Sequence, residues 1–265
     1  MEKIKRGSFA MLLYREYYIG RKSIITGFFL FIAVAVFCLL MLLSFDHGNI
    51  GKIIDFAIGN PVDDEAKELA AERVAQMRES ITFMMKMLPA VMGCQFQFVM
   101  GEVAGRDELA SWQRFAKCAP VSPARRALAK TVMNIICCCV SMILGPTYAN
   151  IVGAVTGTGV TYSDISFMLT AITAVTAFTV LAQIFTMILH SMEKGILALL
   201  ATIMVPAWTA ALINGMNRNG APDDELFDKF SAFCEFICPF LPLILIGLFA
   251  FGFVTIYLLY KRREK

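Results

Sequence analysis

Six long apolar stretches punctuate this chain: Ile24 to Phe45, Ile81 to Gly101, Thr131 to Gly153, Ile165 to Leu189, Gly195 to Ile213 and Pro242 to Tyr260. Each is near the roughly 20 residues that a helix, rising 1.5 Å per residue, needs to cross about 30 Å of hydrocarbon. A lipid core leaves backbone polar groups no water to bond, so helices that satisfy them internally are the expected solution. The chain is therefore expected to be an all-α membrane protein with six transmembrane helices. Its composition agrees: 58% of residues are hydrophobic and only 17% charged, against roughly 25% charged in soluble domains.

The charged residues are distributed unevenly between the two sides. Lys3, Lys5, Arg6, Arg15, Arg21 and Lys22 precede the first run, and Arg106, Arg114, Lys117, Arg125, Arg126 and Lys130 lie between the second and third. Lys194 and the tail residues Lys261, Arg262, Arg263 and Lys265 fall on the same side, whereas the other side holds Lys52, Lys67, Arg73, Arg78, Arg218 and Lys229. The positive-inside rule then places both termini in the cytoplasm of a multi-pass protein of the cell membrane. The first run is longer than a signal-peptide core and is expected to be a retained anchor.

One domain accounts for residues 1–265: a cytoplasmic leader over 1–23, a bundle over 24–260 and a basic tail over 261–265. Within the leader, Phe9, Leu12, Leu13, Glu16 and Tyr17 have the spacing of an amphipathic helix lying in the interface, with Arg15, Arg21 and Lys22 able to reach headgroup phosphates. On the outer side, Asn60 and Pro61 start a helix followed by Asp63, Asp64 and Glu65. Lys86 lies shallow in the second run and is expected to snorkel outward. Before the last run, Leu226, Phe227, Phe230, Phe233, Cys234 and Ile237 form an apolar stripe ended by Pro239 and Pro242, which predicts an outer re-entrant helix.

Between the second and third runs stands GRDELASWQRFAKCAPVSPARRALAK, residues 105–130. Leu109, Trp112, Phe115 and Ala116 recur at helical spacing, which predicts a short surface helix between Gly105 and Pro120, with Asp107 and Glu108 in its first turn and Arg114 and Lys117 near its end. The order Asp107, Trp112, Phe115, Pro120, Val121, Ser122 and Lys130 resembles the corresponding loop in permeases of the ABC transporter type-2 family, an exporter class that includes bacterial peptide and phenol-soluble-modulin exporters. The chain departs from that pattern at Ala119, Pro123 and Thr131.

The resemblance implies a bacterial permease that works as a dimer with itself or with a sister permease. The loop would be a cytoplasmic coupling helix docking on separate ATPase subunits through Asp107, Glu108, Trp112, Arg114, Phe115, Lys117, Pro120 and Ser122. ATP and Mg would then be held by the partner, and this chain would bind no cofactor and be no enzyme. The residues are compatible with that division of labour. No Gly-rich loop ends in Gly-Lys-Ser or Gly-Lys-Thr, and the Cys and His spacings suggest no metal site. The two histidines, His47 and His190, are expected at the interfaces rather than in a protease-like pair. Eight cysteines fall mostly within runs, where they pack as small soft side chains rather than as disulfides.

Gln95, Gln97, Asn134 and Gln183 lie inside runs, where polar groups either bond neighbouring helices or line a substrate path. A hydrophobic or amphipathic cargo suits the 22 Phe and 16 Met residues. Two other classes remain open at this level. A stand-alone channel or secondary transporter would have charged or broken helices near the midplane. A non-transporting scaffold would lose nothing nucleotide-dependent when the loop is removed. No feature suggests a nucleic-acid partner.

Overall fold

The computed structural model describes residues 9–46, 81–88, 93–110, 121–157, 159–201 and 224–264. Every described element is helical. In chain order they are α1 (Phe9–Asp46), α2 (residues 81–88), α3 (Gln95–Leu109), α4 (Pro123–Thr156), α5 (Tyr162–Leu189), α6 (residues 192–201), α7 (Asp224–Ile237), a single 3-10 turn (Cys238–Phe240) and α8 (Leu241–Glu264). Four helical stretches are long and apolar enough to cross a membrane: Phe9–Leu43, Pro123–Val155, Tyr162–Leu189 and Lys229–Arg263. The second apolar run is described only on either side of residues 89–92, and the fifth only up to residue 201, so neither contributes a complete crossing among the described residues. The outer segment from Asn60 lies outside the described residues, as do Trp112, Arg114, Phe115, Lys117 and Pro120.

Helices α4 and α5 form the centre. They pack on each other and on α3; α1 lies against α3 and α4, and α8 against α4 and α5. Burial follows this arrangement: about half of the most apolar stretch of α4 (50%) and of α5 (44%) is buried, against 17% for α1 and 11% for the stretch ending in α8. The outer helices thus present Phe29, Phe37, Leu40, Leu243, Ile246 and Leu258 outward. Exposing so many large apolar side chains to water would cost about 25 cal/mol per Å2, whereas in hydrocarbon the same surface is neutral.

Local chemistry fixes the helix ends. Ser122 caps α4 by accepting a hydrogen bond from the Arg125 backbone N–H, with Pro123 in the first turn. Thr161 and Asp164 form a reciprocal capping box at the start of α5, at 3.1 Å in each direction. Pro146 lies within α4, where its missing N–H frees one carbonyl of the ladder. Close helix approach depends on glycine at two places. A Cβ on Gly20 would meet the Val99 side chain of α3 at 2.6 Å, and one on Gly195 would meet the Thr186 backbone nitrogen of α5 at 2.7 Å.

The leader differs from expectation. Phe9 and Leu12 to Tyr17 do not form a separate interfacial helix but the first turns of α1, which runs unbroken for 38 residues. No proline interrupts residues 9–46, and packing of Gly20 on α3 holds the segment against the bundle. Lys86 also differs: it does not reach outward but is buried, donating to the Gly159 carbonyl at 2.9 Å and lying 3.6 Å from Asp164. Before the last run, α7 passes through the 3-10 turn at Pro239 directly into α8. Phe230 of α7 meets Phe167 of α5 edge to face, with ring centroids 5.8 Å apart.

Candidate functional site: a closed ring of buried charges

At the end of the bundle where α3 stops and α4 begins, four charged side chains converge. Arg15 and Glu16 come from α1, Asp107 from the last turn of α3, and Lys130 from the second turn of α4. The Lys130 Nζ donates to Asp107 Oδ2 at 2.7 Å and to Glu16 Oε2 at 3.0 Å. Arg15 Nη1 donates to Glu16 Oε1 at 2.7 Å, and Nη2 donates to Asp107 Oδ1. Each carboxylate therefore gives one oxygen to each cation, and the four groups close a ring with no formal net charge. Side-chain exposure is 3% for Lys130, 3% for Asp107 and 5% for Glu16, with Arg15 at 20% forming the outer rim.

The position of Asp107 corrects the expectation that it opens a new surface helix after Gly105. It and Glu108 sit in the final turn of α3, which continues through Gly105 to Leu109. A carboxylate there faces the negative end of the helix dipole. The ring supplies the compensation. Burial by itself would raise the Asp107 carboxyl, but the Lys130 ammonium and the hydrogen-bonded Arg15 guanidinium outweigh it and hold the group below its ordinary value of 3.8. Asp107 therefore remains ionised at neutral pH.

Glu108, the next residue, points to different partners. Arg263 of α8 donates to its Oε1 at 2.6 Å and also to the Met187 carbonyl at the end of α5. His190, which caps α5 in the left-handed conformation at φ 54°, places Nδ1 3.0 Å from Glu108 Oε2. Arg126 of α4 lies over the ring of Tyr260 of α8 at 5.1 Å, which ties these two helices beside the ring of charges. Two consecutive carboxylates thus gather the four long helices among the described residues: Asp107 holds α1 and α4, and Glu108 holds α5 and α8.

The amides within the apolar runs all bond neighbouring helices. Gln95 donates to the Gly27 carbonyl of α1, a helix-to-helix bond. Gln97 accepts from Thr176 of α5 at 3.0 Å, and Asn134 of α4 donates to Gln183 of α5 at 2.9 Å. These last three side chains are buried between α3, α4 and α5, the core of one chain. Among the expected docking residues, Asp107 and Glu108 are held in the charge cluster and Ser122 caps α4, while the others fall outside the described residues. Among the described residues, no three His, Cys, Asp or Glu side chains are grouped to hold a metal ion.

Sequence reasoning missed Glu16 as a partner of Lys130. The signal was present: Glu16 is the sole carboxylate between Glu2 and Asp46, within a basic and apolar segment. Such a residue needs a cation when its helix packs on others. Compared with family models, curated proteins and solved structures, the chain has no match in any of the three.

Proposed function

We propose that this chain is the membrane-spanning permease subunit of an ATP-driven exporter, similar to the type-2 ABC permeases. It would move a hydrophobic or amphipathic substrate out of the cell with energy supplied by a separate ATPase. In this reading all six apolar runs cross a bacterial cell membrane, both termini are cytoplasmic, and two permease copies work with two ATPase subunits. The α7 segment dips into the outer leaflet before α8. The segment 111–120 is the docking element.

The observation that carries this reading is the attachment of that segment. Asp107 precedes it by a few residues, Lys130 follows it within three turns of helix, and the two bond to each other at 2.7 Å. A force on the loop would therefore reach α1 and α4 through the ring and α5 and α8 through Glu108. Buried charge pairs hold their partners in fixed geometry because separating them in a poorly solvated site is costly. Such a base suits a lever that transmits nucleotide-driven closure to tilting helices. The loop motif and the lack of a phosphate-binding Gly-Lys-Ser or Gly-Lys-Thr loop in the chain support the same division of labour.

Co-purification tests the reading. A tagged chain, extracted under several detergents, should bring down an ATPase, and Trp112→Ala should reduce that recovery while membrane insertion is unchanged. Recovery of no ATPase from the wild type, or full recovery by Trp112→Ala, refutes the docking role. Labelling of a cysteine at position 112 by an impermeant reagent on intact cells refutes the orientation.

A further inference from the structure

On the outer face of the charge ring, α1 and the end of α3 enclose a cleft of about 530 Å3 lined by Arg15, Tyr18, Arg21, Lys22, Arg106 and Asp107. We propose that this cleft binds the phosphate headgroup of an anionic phospholipid. The inference rests on the chain spanning a membrane and is independent of whether it exports anything.

Charge gives the first argument. Four cations line the cleft against one carboxylate, and that carboxylate is already shared by Lys130 and Arg15 within the ring. Two further acids lie nearby: Glu16, bonded by Arg15 and Lys130, and Glu102, bonded by Arg106 and by Ser23, so that Arg21 and Lys22 carry the excess positive charge. Arg21 and Lys22 are exposed at the mouth. Arg21 stacks its guanidinium 4.0 Å above the Tyr18 ring and donates to the Tyr18 hydroxyl at 3.4 Å, which holds a cation on the α1 side. Arg106 is steadied by the Ile19 carbonyl at 2.9 Å, which fixes a cation on the α3 side. A phosphodiester entering the cleft would therefore meet donors from both helices.

Position gives the second. Tyr18 lines the cleft and is half exposed, as are Tyr14 and Tyr17 on the preceding turn of α1, and Ile25, Phe28 and Phe29 further along the helix are exposed apolar side chains. Tyrosines above an apolar face mark the headgroup level of a bilayer. A lipid with its headgroup in the cleft would thus run its acyl chains down exposed α1 surface. The volume falls within the roughly 300–1,000 Å3 of small-molecule sites, more than a bare phosphate fills. Attraction of basic clusters to anionic headgroups is the expected energetics.

The test uses the full chain purified in a non-ionic detergent. It is titrated with dioctanoyl phosphatidylglycerol, with dioctanoyl phosphatidylcholine and with inorganic phosphate, and bound lipid is counted by native mass spectrometry. The expected result is one phosphatidylglycerol per chain, with phosphatidylcholine and phosphate binding at least tenfold more weakly. Arg21→Gln with Lys22→Gln should weaken phosphatidylglycerol binding by roughly tenfold to thirtyfold, and Arg21→Lys with Lys22→Arg should retain it. Helical circular dichroism and elution volume verify that both variants are folded. Equal binding of the two lipids, unchanged binding by the double Gln variant, or inorganic phosphate binding as tightly as the lipid would overturn the proposal.

Discussion

Lys130→Met is the most searching perturbation of the charge ring, because it keeps an unbranched side chain as far as Cε and removes the ammonium. In the native ring two cations balance two carboxylates; without Lys130 the site retains Arg15 against Asp107 and Glu16, a net negative charge at side chains 3% and 5% exposed. Removing one partner of a buried pair costs about 3–5 kcal/mol, which for a chain of this length corresponds to a fall in melting temperature of roughly ten degrees. The variant is compared with Arg106→Gln, which opens an ion pair whose members are 44% and 33% exposed and should cost less than about 1 kcal/mol. Thermal unfolding in detergent, followed by far-ultraviolet circular dichroism, provides the assay. A further arm combines Lys130→Met with Asp107→Leu, which removes one charge of each sign and leaves the Arg15–Glu16 pair intact. That double variant should lose at least 1 kcal/mol less than the two single losses together, the sign of direct coupling. If Lys130→Met melts within about 1 kcal/mol of wild type, or if the two losses simply add, the ring does not hold the helices and the argument for a rigid lever fails.

Acid should open the same ring. The Asp107 carboxyl is held below 3.8, so its contribution to stability is fully present above that value and is lost as pH falls through the lower, folded value. Melting curves between pH 7 and pH 3 should therefore be nearly flat to about pH 4 and decline below it, and an Asp107→Asn protein that declines as steeply as wild type would contradict the assignment. Gly195→Ala should destabilise by roughly 1–3 kcal/mol, since the added methyl meets the α5 backbone at 2.7 Å. Gly101→Ala meets nothing within 4 Å and should be neutral or better; equal melting of the two variants would show that α6 does not pack as described. Ser122→Ala removes the cap of α4 and should cost about 1 kcal/mol, whereas Ser122→Gly should cost only a few tenths; a Ser122→Ala protein that melts like wild type would mean that the hydroxyl contributes nothing.

Much of the fold was readable in the residue pattern because apolar length is a strong signal. The runs at residues 24–45, 131–153, 165–189 and 242–260 correspond to long helices. Their ends were less legible, since α1, α4 and α8 each extend into charged sequence beyond the apolar core. Arg15, Glu16, Arg126 and Lys130 belong to these extensions, and their charges find partners only in the assembled bundle. Periodicity alone made residues 9–17 an interfacial helix, because an amphipathic face reads the same whether it meets headgroups or another helix. By local pattern Gly105 is a helix boundary, yet it is buried within α3 against the Met192 side chain, a contact between distant segments that local sequence does not encode. Lys86 was misread for a related reason: its partners, the Gly159 carbonyl and Asp164, come from sequence more than seventy residues away. Asp107, Lys130 and Ser122 did stand out as a group, but the spacing could not reveal that two of them bond directly.

The adjacency of Asp107 and Glu108 imposes an order on biogenesis. Glu16, Arg15 and Asp107 all precede Lys130 in the chain, so the first closure needs nothing beyond residue 130. Glu108 must wait for His190 and then Arg263. A nascent chain halted anywhere before that arginine therefore displays a carboxylate without its strongest partner.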